Sequence, residues 1–133
     1  MEKFSIKGST YIPTVLFDPD TGILEMSGES YHEYTIEFFQ PILKWLQDFL
    51  ETPDREIIFN FKMTYFNTSS SRRFLEIFDM LEEYQNNKCG KVLINWYYKE
   101  GDVDMLESGE EYSEDVDLEF KFISFKDNPE NPA

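Results

Sequence analysis

Two apolar runs of strand length, Ile57-Ile58-Phe59-Asn60-Phe61 and Val92-Leu93-Ile94-Asn95-Trp96-Tyr97-Tyr98, flank a stretch whose apolar residues fall at helical spacing. That stretch carries Phe74, Ile77, Phe78, Leu81 and Tyr84, three and four residues apart, and ends in Asn86, Asn87 and Gly90. A strand, a helix long enough for a crossover and a second strand make a parallel βαβ unit, normally right-handed. Continuous apolar strands of this kind are expected to be covered on both faces.

The remainder extends this unit. Thr14 to Phe17 and Gly22 to Met26 read as a hairpin around Asp18-Pro19-Asp20-Thr21-Gly22, where proline fixes φ and glycine accepts a positive φ. An edge strand is expected between Phe4 and Tyr11. Ile36, Phe39, Ile42, Leu43, Leu46, Phe49 and Leu50 predict an amphipathic helix from Thr35 to Leu50, with a kink or break at Pro41 and an end at Thr52-Pro53-Asp54. Met105, Leu106 and Tyr112 suggest a third helix within 102–115, weakened by Gly109. Leu118, Phe120 and Phe122 alternate with Glu119 and Lys121 in a last strand ending near Phe125. The expected fold is therefore a single α/β domain over residues 1–133, a mixed, mostly parallel sheet with crossover helices, with 126–133 as a tail. Thirteen Phe and eight Tyr supply the core without a metal or disulfide.

Charge narrows the partners. With 27 acids against 12 bases the net charge is −15, which disfavours nucleic acid and anionic membrane surfaces. Ten of those acids, Glu100, Asp102, Asp104, Glu107, Glu110, Glu111, Glu114, Asp115, Asp117 and Glu119, follow one another with no intervening base. They read either as a solvated face or as a docking surface for a basic partner. The single Cys89, the lack of a secretory leader and the lack of an 18-residue apolar run lead to the expectation of a cytoplasmic protein.

Catalytic signatures are not found. His32 is the one histidine and lies in a polar stretch, so nucleophile–histidine pairs have no evident base. Zinc-ligand spacing, calcium loops and Gly-rich phosphate loops do not occur. Asp18 and Asp20 belong to the hairpin, and Asn, Thr or Ser follows the central strand, against a phosphoaspartate mechanism. The reading is a non-enzymatic protein with no cofactor.

The informative junction is Tyr65-Phe66-Asn67-Thr68-Ser69-Ser70-Ser71-Arg72-Arg73, between the first apolar strand and the Phe74 to Tyr84 helix. One hydroxyl or amide residue suffices to cap a helix, yet several stand in a row. The free N–H groups and partial positive charge of a helix start tolerate a phosphate, and a phosphate adds about −1.5 to −2 charge at one point. Loops at the carboxyl ends of strands in open α/β sheets are also the usual functional ones.

With this junction, Phe38-Phe39-Gln40-Pro41, Trp45-Leu46 and the acidic segment before Leu118-Glu119-Phe120, nearly the whole chain resembles the SiaC family of bacterial regulatory phosphoproteins, similar in fold to the STAS domains of anti-sigma factor antagonists. The resemblance implies a partner-switching cycle. A protein kinase of the anti-sigma-factor type phosphorylates the threonine of Asn-Thr-Ser-Ser, here Thr68, and a PP2C-type phosphatase reverses it. The unmodified form engages an effector, in the best-matching systems a diguanylate cyclase that makes cyclic di-GMP and promotes biofilm formation. Asn67, Thr68, Ser69, Ser70, Arg72 and Arg73 become the expected partner-binding residues, with Ser69 and Ser70 as alternative acceptors and an arginine near the phosphate. Anti-sigma antagonists commonly read Asp-Ser-Ser-Gly where this chain has Asn67-Thr68-Ser69-Ser70, so sigma-factor control is an alternative reading. A small-ligand-binding α/β domain using the junction and the acids near Asp102 is another.

Overall fold

The computed structural model describes residues 1–31 and 33–127. His32 and most of the expected tail lie outside the described residues. Among those described, six strands form one sheet: β1 (Phe4–Ile6), β2 (Thr14–Asp18), β3 (Ile23–Ser30), β4 (Glu56–Phe66), β5 (Lys91–Lys99) and β6 (Glu119–Phe125). Their spatial order equals their chain order. β1, β2 and β3 pair antiparallel, and β3 through β6 pair parallel. Helices α1 (Thr35–Phe49), α2 (Thr68–Asn87) and α3 (Val103–Asp115) connect the parallel strands. The expected mixed, mostly parallel sheet with crossover helices is present.

The period-2 alternation of a strand sends Val15, Phe17, Leu24, Met26, Ile57, Phe59, Phe61, Ile94 and Trp96 to one face, where all are buried. Each helix meets that same face. Trp45 of α1 packs 5.2 Å from Phe17, Phe74 of α2 packs 4.7 Å from Phe61, and Tyr112 of α3 packs 5.6 Å from Trp96, ring centre to ring centre. Phe61 and Trp96, stacked at 4.5 Å, form the middle of the core. Burying each such ring contributes roughly 1.5–3 kcal/mol relative to leaving it in water.

Among the described residues the other face carries no helix, which corrects the expectation of strands covered on both sides. Leu16, Ile23 and Ile58 are 49%, 43% and 37% exposed there. The centre of that face is polar: Asn95 Nδ2 donates to Asn60 Oδ1 at 2.9 Å, and Lys62 Nζ pairs with Glu25 Oε1 at 2.9 Å. Ile57-Ile58-Phe59 reads as doubly buried only because Ile58 is apolar on the uncovered side.

Other differences have local causes. α1 runs unbroken through Pro41. The hydrogen bond that Pro41 omits would have ended on Glu37, which is exposed, so water can replace it. The left-handed residue after α2 is Cys89, with φ 56°, one position before the expected Gly90. Gly109, which argued against α3, is required by it. A Cβ there would stand 2.5 Å from Trp96 Nε1, which donates to Met105 O at 2.9 Å.

β4 is longer than expected, reaching Phe66 through a bulge. Register passes from Gly28 opposite Met63 to Glu29 opposite Tyr65, which leaves Thr64 as the extra residue and Gly28 at φ 94°. Phe66 thereby turns toward the helices, 5.0 Å from Phe74, and Tyr65 stays exposed.

Candidate functional site

The junction between β4 and α2 sits at the carboxyl ends of β3 and β4. The Asn67 N–H donates to Ser30 O at 3.1 Å, joining it to the end of β3. Asn67 has extended backbone and caps α2, its Oδ1 accepting from the Ser70 N–H at 2.9 Å. Thr68 is the first helical residue. The helix begins six residues before the apolar stripe at Phe74, because residues 67–73 are held by polar bonds rather than by burial of apolar side chains.

Four hydroxyls follow in succession, and three are engaged. The Ser69 and Thr35 hydroxyls are hydrogen-bonded, tying α2 to the start of α1. Ser70, fully buried, donates from Oγ to Ser30 O at 2.8 Å, and its Oγ also lies 2.8 Å from Ser30 Oγ, tying α2 to β3. Ser71 Oγ lies 2.6 Å from the Tyr112 hydroxyl, which donates to Ser71 O at 2.9 Å, tying α2 to α3. Burial pushes the Tyr112 phenol up to about 12, while the bond to Ser71 works in the opposite direction. Thr68 alone among the four is exposed, and its hydroxyl has no hydrogen-bond partner among the described residues.

The two arginines diverge. Arg72, four residues after Thr68, is exposed on the same side of the helix. Arg73 is half-buried and pairs with Glu76 Oε1 at 3.1 Å, its Nε buried without a hydrogen bond among the described residues. Ser30, Thr35 and Tyr112 belong to the junction although no spacing in the chain links them to it. They arrive by sheet pairing and helix packing.

The remaining candidates are dispersed. Cys89 is exposed beyond the far end of α2, and the acidic run lies along α3 and its flanks, capped by Asp102 Oδ1, which accepts from the Met105 N–H at 3.1 Å. Among the described residues no cluster of His, Cys, Asp or Glu has the arrangement of a metal site, and no helix is long and apolar enough to cross a membrane. A surface groove of about 750 Å³ lies between α1 and α2, lined by Leu43, Gln47, Met80 and Glu83 among others. It includes neither the junction hydroxyls nor the acids near Asp102, so the small-ligand reading built on those residues gains nothing from it.

Comparison with known proteins covers most of the chain. A family model described as SiaC family regulatory phosphoprotein matches residues 6–125. An uncharacterized protein of Pseudomonas aeruginosa strain UCBPP-PA14 is 31% identical over 121 residues, covering 90% of this chain and 94% of that protein. The crystal structure of apo-SiaC from Pseudomonas aeruginosa superposes with a TM-score of 0.84 at 32% identity, covering 92% of this chain and 98% of that one. The crystal structure of the diguanylate cyclase SiaD in complex with its activator SiaC, from the same organism, gives a TM-score of 0.85 at 30% identity, covering 92% of this chain and 99% of the matched one.

Proposed function

Because this chain belongs to the SiaC family of regulatory phosphoproteins, we propose that Thr68 is its phosphoacceptor and that the unphosphorylated junction binds and activates a diguanylate cyclase. The exposure of Thr68 beside three engaged serines is the observation that carries this reading. A kinase must bring a hydroxyl to the γ-phosphate of ATP, and Thr68 can be presented without breaking any bond of the fold. Modifying Ser70 would demand opening the buried contact to Ser30, and modifying Ser69 or Ser71 would cost a link to α1 or α3. These costs favour Thr68 over the alternative acceptors.

The chain supplies a surface and a hydroxyl, and the chemistry of the cycle belongs to its partners: a kinase of the anti-sigma-factor type, a PP2C-type phosphatase and the cyclase, in the cytoplasm. Asn67 and Ser70 hold the first turn of α2 in place. Arg72, one turn along the helix from Thr68, is the arginine positioned to meet a phosphate there, whereas Arg73 is committed to Glu76. The added phosphate places about −1.5 to −2 charge inside the contact area, where repulsion and desolvation displace the effector. The SiaC–SiaD complex supports the choice of effector, since that activator shares this fold along almost its whole length.

The test is cyclase activation by three preparations: unmodified protein, Thr68-phosphorylated protein, and Thr68→Ala incubated with kinase and ATP. Activation by the first and third and a drop of at least tenfold with the second are expected. Equal activation by the phosphorylated protein would overturn the proposal.

A further inference from the structure

At the end of β4, three residues before Thr68, Tyr65 begins a row of aromatic rings that the junction does not use. Tyr65 meets Tyr31 edge to face at 5.5 Å, and Tyr31 meets Tyr11 edge to face at 5.1 Å. Tyr11 and Tyr65 are 55% and 51% exposed. The row is fixed by backbone: the Tyr31 N–H donates to Tyr11 O at 3.0 Å, and Glu29 is the β3 neighbour of Tyr65. The core does not need these rings, because Phe66 takes the inward position at this end of β4 and the bulge turns Tyr65 away. Tyrosines held rigid and half in water are the side chains most used at protein interfaces, since they bury large area at small entropic cost.

The charge around the row selects its occupant. Desolvation first, and then the neighbouring Glu29 carboxylate, keeps the Tyr31 phenol above its ordinary range. From Ser27 to Leu43 the chain holds Glu29, Glu33 and Glu37 and neither lysine nor arginine. Exposed ring faces beside carboxylates fit a planar cation, which lies over the aromatic quadrupole while its N–H groups reach the acid.

We infer that Tyr11, Tyr31 and Tyr65, with Glu29, form the docking surface for an arginine-bearing segment of the protein partner. The inference rests on the reading that a partner covers the Thr68 turn, and it assigns the standing affinity to the tyrosine row and the switching to Thr68.

The experiment uses unphosphorylated full-length protein with labelled tyrosine rings, titrated by NMR with the blocked peptide acetyl-Leu-Arg-Ala-Leu-Arg-amide. The same peptide with norleucine in place of both arginines serves as the control. Ring-shift changes confined to Tyr11, Tyr31 and Tyr65, at least fivefold weaker binding of the norleucine peptide, and loss of the response in Tyr65→Leu are expected. Tyr65→Leu keeps apolar area and removes the π face, and retention of the native amide spectrum verifies that it folds. Equal affinity for the two peptides, or changes centred on the acids of α3, would overturn the inference. The titration involves neither kinase nor phosphate, so a failure of Thr68 as acceptor would leave its result standing.

Discussion

Ser70 has the same side chain as Ser69 and Ser71 on either side of it, yet the fold gives each a separate partner. Its hydroxyl is fully buried between the start of α2 and the end of β3. Ser70→Ala removes those bonds and strands the Ser30 hydroxyl in the interior, so a loss of about 1–3 kcal/mol is expected, measured by urea unfolding. Thr68→Ala, at an exposed position, should move the same midpoint very little. Gly109 is a comparable single-residue constraint, since a methyl group there enters the Trp96 indole that bonds to Met105. Gly109→Ala should cost about 1–3 kcal/mol despite its better helix propensity, because overpacking outweighs the gain.

At the scale of elements, α2 is held to its neighbours by polar bonds at its start and meets α3 across an acidic seam lower down. Burial of the Tyr112 phenol beside Ser71 gives the first of these a pH signature. A phenol that ionises near 10 in the unfolded chain and about 12 in the fold contributes stability that is fully present below 10 and is lost as pH rises toward 12. Roughly 2 kcal/mol should disappear across that window in the native protein. In Tyr112→Phe the corresponding slope should be absent, as followed by alkaline denaturation. In the seam, Asp79 is held above the ordinary carboxylate range by partial desolvation and then by the charges of Glu82 and Asp115. A carboxyl raised in this way favours the fold only while protonated, and that advantage is lost as pH rises through its folded value. Asp79→Asn should therefore have a higher Tm than the native protein at pH 7, with the difference vanishing in acid below the unfolded value.

The elements themselves were largely legible. Apolar periodicity located the hairpin, the three helices and the parallel strands, because burial on one face leaves period 2 or 3.6 in the chain. What periodicity missed is held by other forces. Thr68 to Arg73 carries no apolar stripe, so the first turns of α2 were legible only through their capping residues. Tyr65 and Phe66 fell outside the expected strand because the bulge at Thr64 breaks the alternation. The uncovered sheet face was hidden by Ile58, which is apolar in spite of facing solvent. At the junction, the residues from Asn67 to Arg73 could be singled out from their run of hydroxyls and arginines. Their partners Ser30, Thr35 and Tyr112 could not, since contacts across 34 to 41 residues leave no local spacing.

Taken whole, the molecule combines a one-sided core with a net charge of −15. Self-repulsion on that scale destabilises the compact state and is screened by salt. Raising sodium chloride from about 20 to 200 mM, across which the Debye length shortens severalfold, should raise Tm. The same salt should weaken docking of a basic partner segment, so stability and binding move in opposite directions, and calorimetry with titration in one buffer series would separate them. The central claim concerns a single hydroxyl on this surface. Its most direct test is peptide mass spectrometry of the native protein and of Thr68→Ala after incubation with the partner kinase and ATP. One phosphate on Thr68, absent from the variant, is the predicted result; a phosphate on Ser69, Ser70 or Ser71, or one retained by Thr68→Ala, would contradict it.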